Sequence, residues 1–193
     1  MKTLRTFSLS LLVLGAMSFF SGISEAATIT GGTTSVALNG TTVNALVGLG
    51  FGIAPITPST LTGLNAVFPI TGGDSTMQIF HSGGLAFTKG GTTLNLTNFT
   101  INLLNNTLFA TANGSANQIA FLDLGAGGAL TLDSVAGGAL ASTFGVPNLT
   151  GASIGTATVN AVVSPEPSTV GLVALSVLAL GATARRRKSE TSR

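Results

Sequence analysis

The chain has 193 residues, with 8 Lys and Arg, 6 Asp and Glu, one His, and no Cys, Trp or Tyr. Its charged fraction of 7% lies far below the roughly 25% usual for soluble domains. The missing Cys excludes disulfides, thiol catalysis, iron–sulfur clusters and Cys-based zinc sites, and a single His excludes a multi-His metal site within one chain.

Charge is also unevenly placed. Lys2 and Arg5 stand at the N-terminus, and Arg185, Arg186, Arg187, Lys188 and Arg193 at the C-terminus. Between residues 27 and 164 the charged residues are Asp74, Lys89, Asp123 and Asp133. Binding nucleic acid requires a basic face that displaces counterions. One cation in that stretch makes no such face, so nucleic acid is excluded as a partner.

In chain order, residues 1–26 have the plan of a secretory signal peptide. Lys2 and Arg5 form a positive start, Phe7 to Phe20 an apolar run, and Ser24 and Ala26 a small-residue exit. Cleavage by signal peptidase is expected between Ala26 and Ala27.

Residues 27–163 form the expected exported domain. Thr, Val, Ile and Leu interrupted by Gly and Asn argue for strands. The segment 49–76, with Pro55, Pro58 and Pro69 and several Gly, is predicted as a long loop or irregular edge. His81 follows a strand-like Met77–Phe80. Lys89-Gly90-Gly91 reads as a hairpin turn between strands at 85–88 and 92–96. Leu94 and Leu96 alternate with polar residues; after Asn98 the phase flips to Phe99, Ile101 and Leu103. A one-residue slip of a period-2 pattern predicts a bulge or tight turn near Thr97-Asn98. Asn105-Asn106 and Asn113-Gly114 are expected turns, and 118–124, 129–133 and 152–163 further strands. At 134–144, Val135, Ala136, Ala139, Leu140 and Phe144 have helical spacing, with Ser134 as the expected cap. The fold class is therefore all-β: one antiparallel β-sandwich or partly open barrel with one short helix, between an N-terminal signal helix and a C-terminal transmembrane helix. A surface of Thr, Ser and Asn with few Lys leaves edge strands unguarded, which suits self-association or contact with an extracellular polymer.

Residues 164–193 make a three-part tail. Pro165, Glu166 and Pro167 enforce an extended stretch. An uncharged run follows, Val170 to Ala184, giving roughly 22 Å of helix; with Ser168 and Thr169 and snorkelling arginines, a span over 169–184 approaches bilayer thickness. Arg185, Arg186 and Arg187 open a basic end, 185–193, that stays cytoplasmic by the positive-inside rule.

The Pro165-Glu166-Pro167 triplet, the short apolar run and the arginine triplet together resemble the PEP-CTERM sorting tail of exported bacterial proteins. That resemblance implies an exosortase as processing enzyme, a membrane-anchored precursor, and release to the cell surface or exopolysaccharide matrix. Within the domain, His81-Ser82-Gly83-Gly84-Leu85-Ala86-Phe87, then Leu94 to Leu103, then Phe121-Leu122-Asp123-Leu124, are similar in order to HtaA-type β modules. Some of these bind haem through Tyr and His. The likeness implies a β-rich fold and His81 as an axial ligand.

Chemistry is sparse. His81 is either a turn histidine bonded to nearby backbone or, through its imidazole, a ligand to haem or a metal. Asp74, Asp123 and Asp133 are the carboxylates of the domain. Asp74 and Asp133 occupy ordinary turn or cap positions, and Asp123 with Asp133 is the one pairing a glycosidase would need. No nucleophile elbow or phosphate loop is present. Sequons begin at Asn39, Asn95, Asn98, Asn105, Asn113 and Asn148, as composition alone would produce. The expectation is an exported, non-enzymatic surface or matrix protein, structural or adhesive, without a cofactor. The alternative is a module binding a small ligand or haem through His81.

Overall fold

The computed structural model describes residues 27–164. The expected signal peptide, transmembrane helix and sorting tail, including Ala26, Pro165, Glu166, Pro167 and Arg185 to Arg187, lie outside the described residues. Eleven strands are present: β1 (Thr28–Leu38), β2 (Gly52–Ile56), β3 (Thr60–Thr62), β4 (Asn65–Asp74), β5 (Gln78–His81), β6 (Gly84–Lys89), β7 (Thr92–Asn102), β8 (Thr107–Ala112), β9 (Gln118–Leu124), β10 (Ala129–Leu132) and β11 (Ser153–Val163). Two helices, α1 (Gly40–Gly48) and α2 (Ser134–Phe144), complete the fold.

Eight strands close a ring, β7-β5-β4-β1-β11-β10-β9-β8, with β8 pairing back onto β7. Every pairing in it is antiparallel. The architecture is thus a closed barrel, neither a sandwich nor a partly open barrel. Closure depends on β7, which is long enough to use both of its edges. The expected phase slip lies in this strand: its register against β8 shifts between Thr97 and Thr100, and Asn98 takes φ 52. Leu94 and Leu96 are buried before the slip, Phe99 and Ile101 after it. The bulge lets both halves of β7 keep an apolar face inward. The Gln118 side chain braces it, donating to the Asn98 carbonyl (2.7 Å) and to Thr100 Oγ1 (3.1 Å).

The barrel wall is not uniform. Short β5 pairs only with Thr100–Asn102 of β7. Toward the other end of β7, β6 takes its place, pairing Thr92–Thr97, and β2 adds outside β6. On the facing side, β3 pairs with the first residues of β4. The wall therefore flares where β5 stops. The turn from β2 to β3 docks at that point: Ser59 Oγ donates to the Ser82 carbonyl (3.3 Å). Gly83, at φ +80, lies so close that a Cβ there would come 2.2 Å from Ser59 Oγ.

The proline-rich segment 49–76 is therefore mostly strand, not loop. Pro55 lies in β2, which has a single partner strand and tolerates a missing N–H. Pro69 lies in β4, opposite Thr33 of β1 on one edge and just past the last β5 pair on the other, and its carbonyl accepts from Ser82 N (3.1 Å).

There are also two helices rather than one. α1 begins at Asn39, whose side-chain oxygen accepts from the backbone N–H of Thr41 (2.9 Å) and Thr42 (3.4 Å). α2 is capped by Asp133 rather than Ser134: the carboxylate accepts from Val135 N (2.7 Å), and Gly145 closes the helix in the left-handed conformation. The Asn-x-Thr triplet at 148–150 does similar local work. Asn148 accepts from Thr150 N and Oγ1 (3.0 and 2.8 Å); Asn113, at φ 49, instead reaches across to β7 and accepts from Asn95 N (2.8 Å).

Both helices lie at one end of the barrel, because β1 and β10, which lead into them, each run antiparallel to β11. The opposite end carries the limits of the described chain. Ala27 N donates to Ser75 Oγ (3.1 Å), Ser75 N to the Ala27 carbonyl (3.1 Å), and Ser164 N to the Thr28 carbonyl (2.9 Å). Among the described residues, no helix is long and apolar enough to cross a membrane.

Candidate site inside the barrel

A cavity of about 250 Å³ occupies the helix-bearing half of the barrel. All eight ring strands contribute to it, for example Val36, Phe68, Phe99, Leu108, Phe121, Leu130 and Ile154. The alternation of β1 explains one wall: Thr34, Val36 and Leu38 share the inward face. An aromatic row stiffens it, with the Phe68 and Phe99 rings edge to face at 5.0 Å and Phe99 stacked on Phe121 at 6.0 Å. Such contacts add to area burial by fixing ring orientation.

α1 forms the cover. Ala45, Leu46 and Leu49 line the cavity, yet none of its helical residues is fully buried. Two side chains fasten it to the start of β11: Asn39 Nδ2 donates to Ser153 Oγ (3.2 Å) and Thr42 Oγ1 to the Ser153 carbonyl (2.6 Å). Beside it, the Phe51 ring meets the edge of Phe144, at the end of α2, at 4.9 Å. Lys89 closes this cluster. Its ammonium lies 5.5 Å from the Phe51 centroid and donates to the Phe144 carbonyl (3.2 Å), neutralising the negative end of α2.

Among the residues that the ring strands contribute to the cavity lining, the polar ones are His81 and Thr34. His81 is 5% exposed and Thr34 3%, and both border the cavity. The residue is bonded to backbone but is not in a turn; it ends β5 and faces inward. Its Nδ1 lies 3.1 Å from the Phe99 carbonyl and its Nε2 2.7 Å from Thr34 Oγ1. A carbonyl only accepts, so Nδ1 carries the proton and donates to Phe99. Nε2 then accepts from the Thr34 hydroxyl. Burial pushes the imidazole pKa below its ordinary value, opposed by hydrogen bonding to the Phe99 and Ile79 carbonyls, which favours the neutral ring.

The carboxylates are elsewhere. Asp123 is exposed on β9 and Asp133 caps α2, and neither borders the cavity. Asp74 closes an exposed turn, accepting from Thr76 Oγ1 and N (2.7 Å each), which holds its carboxyl below the usual range. Among the described residues no three His, Asp or Glu gather into a metal site.

His81 was visible in the sequence as the lone imidazole. Thr34 was not: it stands 47 residues away and is one of many Thr. The period-2 run Thr34, Val36, Leu38 was the available signal for that wall. No family model matches the chain, and a search of curated proteins finds no match.

Proposed function

We propose that the protein is an exported carrier that holds a small apolar ligand inside its barrel. The observation behind this reading is the apolar cavity, about 250 Å³, covered by a lightly held helix. A dry cavity of about 150 Å³ accommodates benzene, so this one takes a ligand of roughly ten non-hydrogen atoms. A haem is several times larger, and both imidazole nitrogens of His81 are engaged, so the small-ligand form of the His81 reading is the better supported. It is a binding site rather than a catalytic one, since the carboxylates stand apart from it.

Delivery follows from the termini. Signal peptidase cuts between Ala26 and Ala27, the apolar tail holds a membrane-anchored precursor, and an exosortase acts near Pro165, Glu166 and Pro167, with Arg185 to Arg187 as the cytoplasmic stop. The product lies at the cell surface or in the matrix. Intact mass of the surface form tests this: it is expected to start at Ala27 and to lack the arginines.

Binding is tested by displacement of a fluorescent apolar dye from the purified surface form. Micromolar displacement by apolar molecules of this size is expected. Ala66, fully buried and lining the cavity, is the filling position: Ala66→Leu should weaken binding at least about tenfold while the protein stays folded. Absence of any displacement would sink the carrier reading.

A second reading, a structural or adhesive matrix component, draws on β11. Its residues past Thr156 pair with β1 on one edge but with no strand on the other. Val159, Val162 and Val163 there are exposed, and no charge guards them. Self-association or exopolysaccharide contact through this edge is compatible with a filled barrel.

A further inference from the structure

Resting on the matrix-component reading, the geometry of β11 names the partner of its bare edge. In an antiparallel ladder, successive residues turn their N–H and C=O groups to opposite edges. The Ile154 carbonyl accepts from Asn39 N (2.8 Å), the Val162 carbonyl from Thr30 Oγ1 (3.3 Å), and Ser164 N donates to the Thr28 carbonyl (2.9 Å). Even-numbered residues of β11 therefore address β1. The odd-numbered ones address the other edge. There the β10 pairing ends at Thr156, and the Ala157 carbonyl sits against Gly128. Past that point the N–H and C=O groups of Val159, Ala161 and Val163 face an edge along which no described strand pairs.

The side chains of this stretch are open as well. Val159 stands opposite Thr34 and Val163 opposite Ile29. Both partners are buried, so these valines share the inward face of the wall. Yet Thr158 to Val163 are exposed without a break, because no described strand covers them from the side. Residues 157–163 hold no Pro, and no charge lies between Asp133 and Glu166, so the usual guards of an open edge are missing. The chain's own continuation is turned away: Ser164 N bonds back to β1, and Pro165 and Pro167 have no N–H to offer. We propose that the occupant is a second copy of this chain, the two β11 strands pairing antiparallel about a two-fold axis at Ala161. Ala161 then faces its own copy, and Val159 faces Val163 of the other, which matches every outward N–H and C=O of these residues. Sliding the pair one way sets Val163 against Ala157, already engaged at Gly128. Sliding it the other way sets Val159 against Pro165. An uncharged edge meets its like without repulsion, and an isologous pairing consumes the edge, so assembly stops at a dimer.

The test uses the purified surface form. Sedimentation should show a mass that rises with concentration and levels at twice that of the monomer. Amide exchange should find Thr158, Asn160 and Val162 protected at every concentration, and Val159, Ala161 and Val163 protected only as the dimer forms. Ala161→Pro removes the central N–H and leaves the β1 ladder intact, a place where an edge strand accepts proline. It should raise the dissociation constant at least about tenfold. Cross-linking gives a second route, since the chain has no native Cys. Oxidised Ala161→Cys should join two copies, because residues directly opposed lie about 5.5 Å apart. Thr158→Cys, whose copies lie about 20 Å apart in this register, should not. A protein that stays monomeric at submillimolar concentration, a dimer that Ala161→Pro leaves unweakened, or cross-linking through Thr158→Cys in preference to Ala161→Cys overturns the inference. If the monomer still co-sediments with washed extracellular matrix from the producing cells, the matrix reading stands; if it does not, both fall.

Discussion

The two ends of this barrel are built on different terms. At the helix-bearing end the wall widens, β2, β3 and β6 replace β5, and the interior is left unfilled under α1. At the opposite end Ile29, Ile70 and Ile79 are buried outside the cavity lining, and β11 runs on with one bare edge. One end spends its apolar residues on enclosing a space, the other on filling it. A barrel of eight strands is near the size where side chains just fill the interior or leave room for one small ligand, and here the flare decides which half does which.

The difference can be probed first where the helix-bearing end is knitted together. Phe51→Ala removes the ring that Phe144 and Lys89 both address. It should cost about 4 kcal/mol, read as a large fall in the denaturant midpoint, whereas an end held mainly by strand pairing would show a much smaller loss. Asp133→Ala, which strips the cap from α2, should cost about 1 kcal/mol, and Asp133→Asn should recover most of it; equal losses from both would place the effect elsewhere.

Acidity bears on the boundary between the halves. The His81 pKa is lower folded than unfolded, so the unfolded chain binds the extra proton first. Stability is complete above the unfolded value near 6.5 and declines as pH falls from there through the folded value. Denaturant midpoints measured across that range should drop, and His81→Phe should flatten the decline. Asp74, whose pKa is also lowered, acts separately, below the ordinary carboxylate value. The smallest expected effect lies at the bare end. Val162, 58% exposed, can become Lys with a change within about 0.5 kcal/mol. That substitution should suppress any concentration-dependent sedimentation of the wild type, as a charge on an open edge does.

Much of this plan was legible in the residues. The phase change after Asn98 announced the β7 bulge because a period of 2 leaves no other way to keep Leu96 and Phe99 on one side. Gly90-Gly91, with φ 57 and 83, and the spacing of Ala136, Leu140 and Phe144 were equally direct. The prolines misled, because proline marks loops on average while β2 and the stretch of β4 past the end of β5 are places that forgive a missing N–H. α1 was hidden by Thr41, Thr42 and Val43, residues with strand-like preferences that a cap at Asn39 overrides. Closure and the cavity were not legible. Both rest on pairings between distant strands, as does the meeting of Thr34 with His81, and nothing local encodes them.

The hydrogen bonds joining Ala27 to Ser75 and Ser164 to Thr28 put both limits of the described residues at the pole remote from α1. On the proposed delivery, an anchor joined after Ser164 leaves from the pole opposite α1. The cover over the cavity is then reached without crossing that attachment.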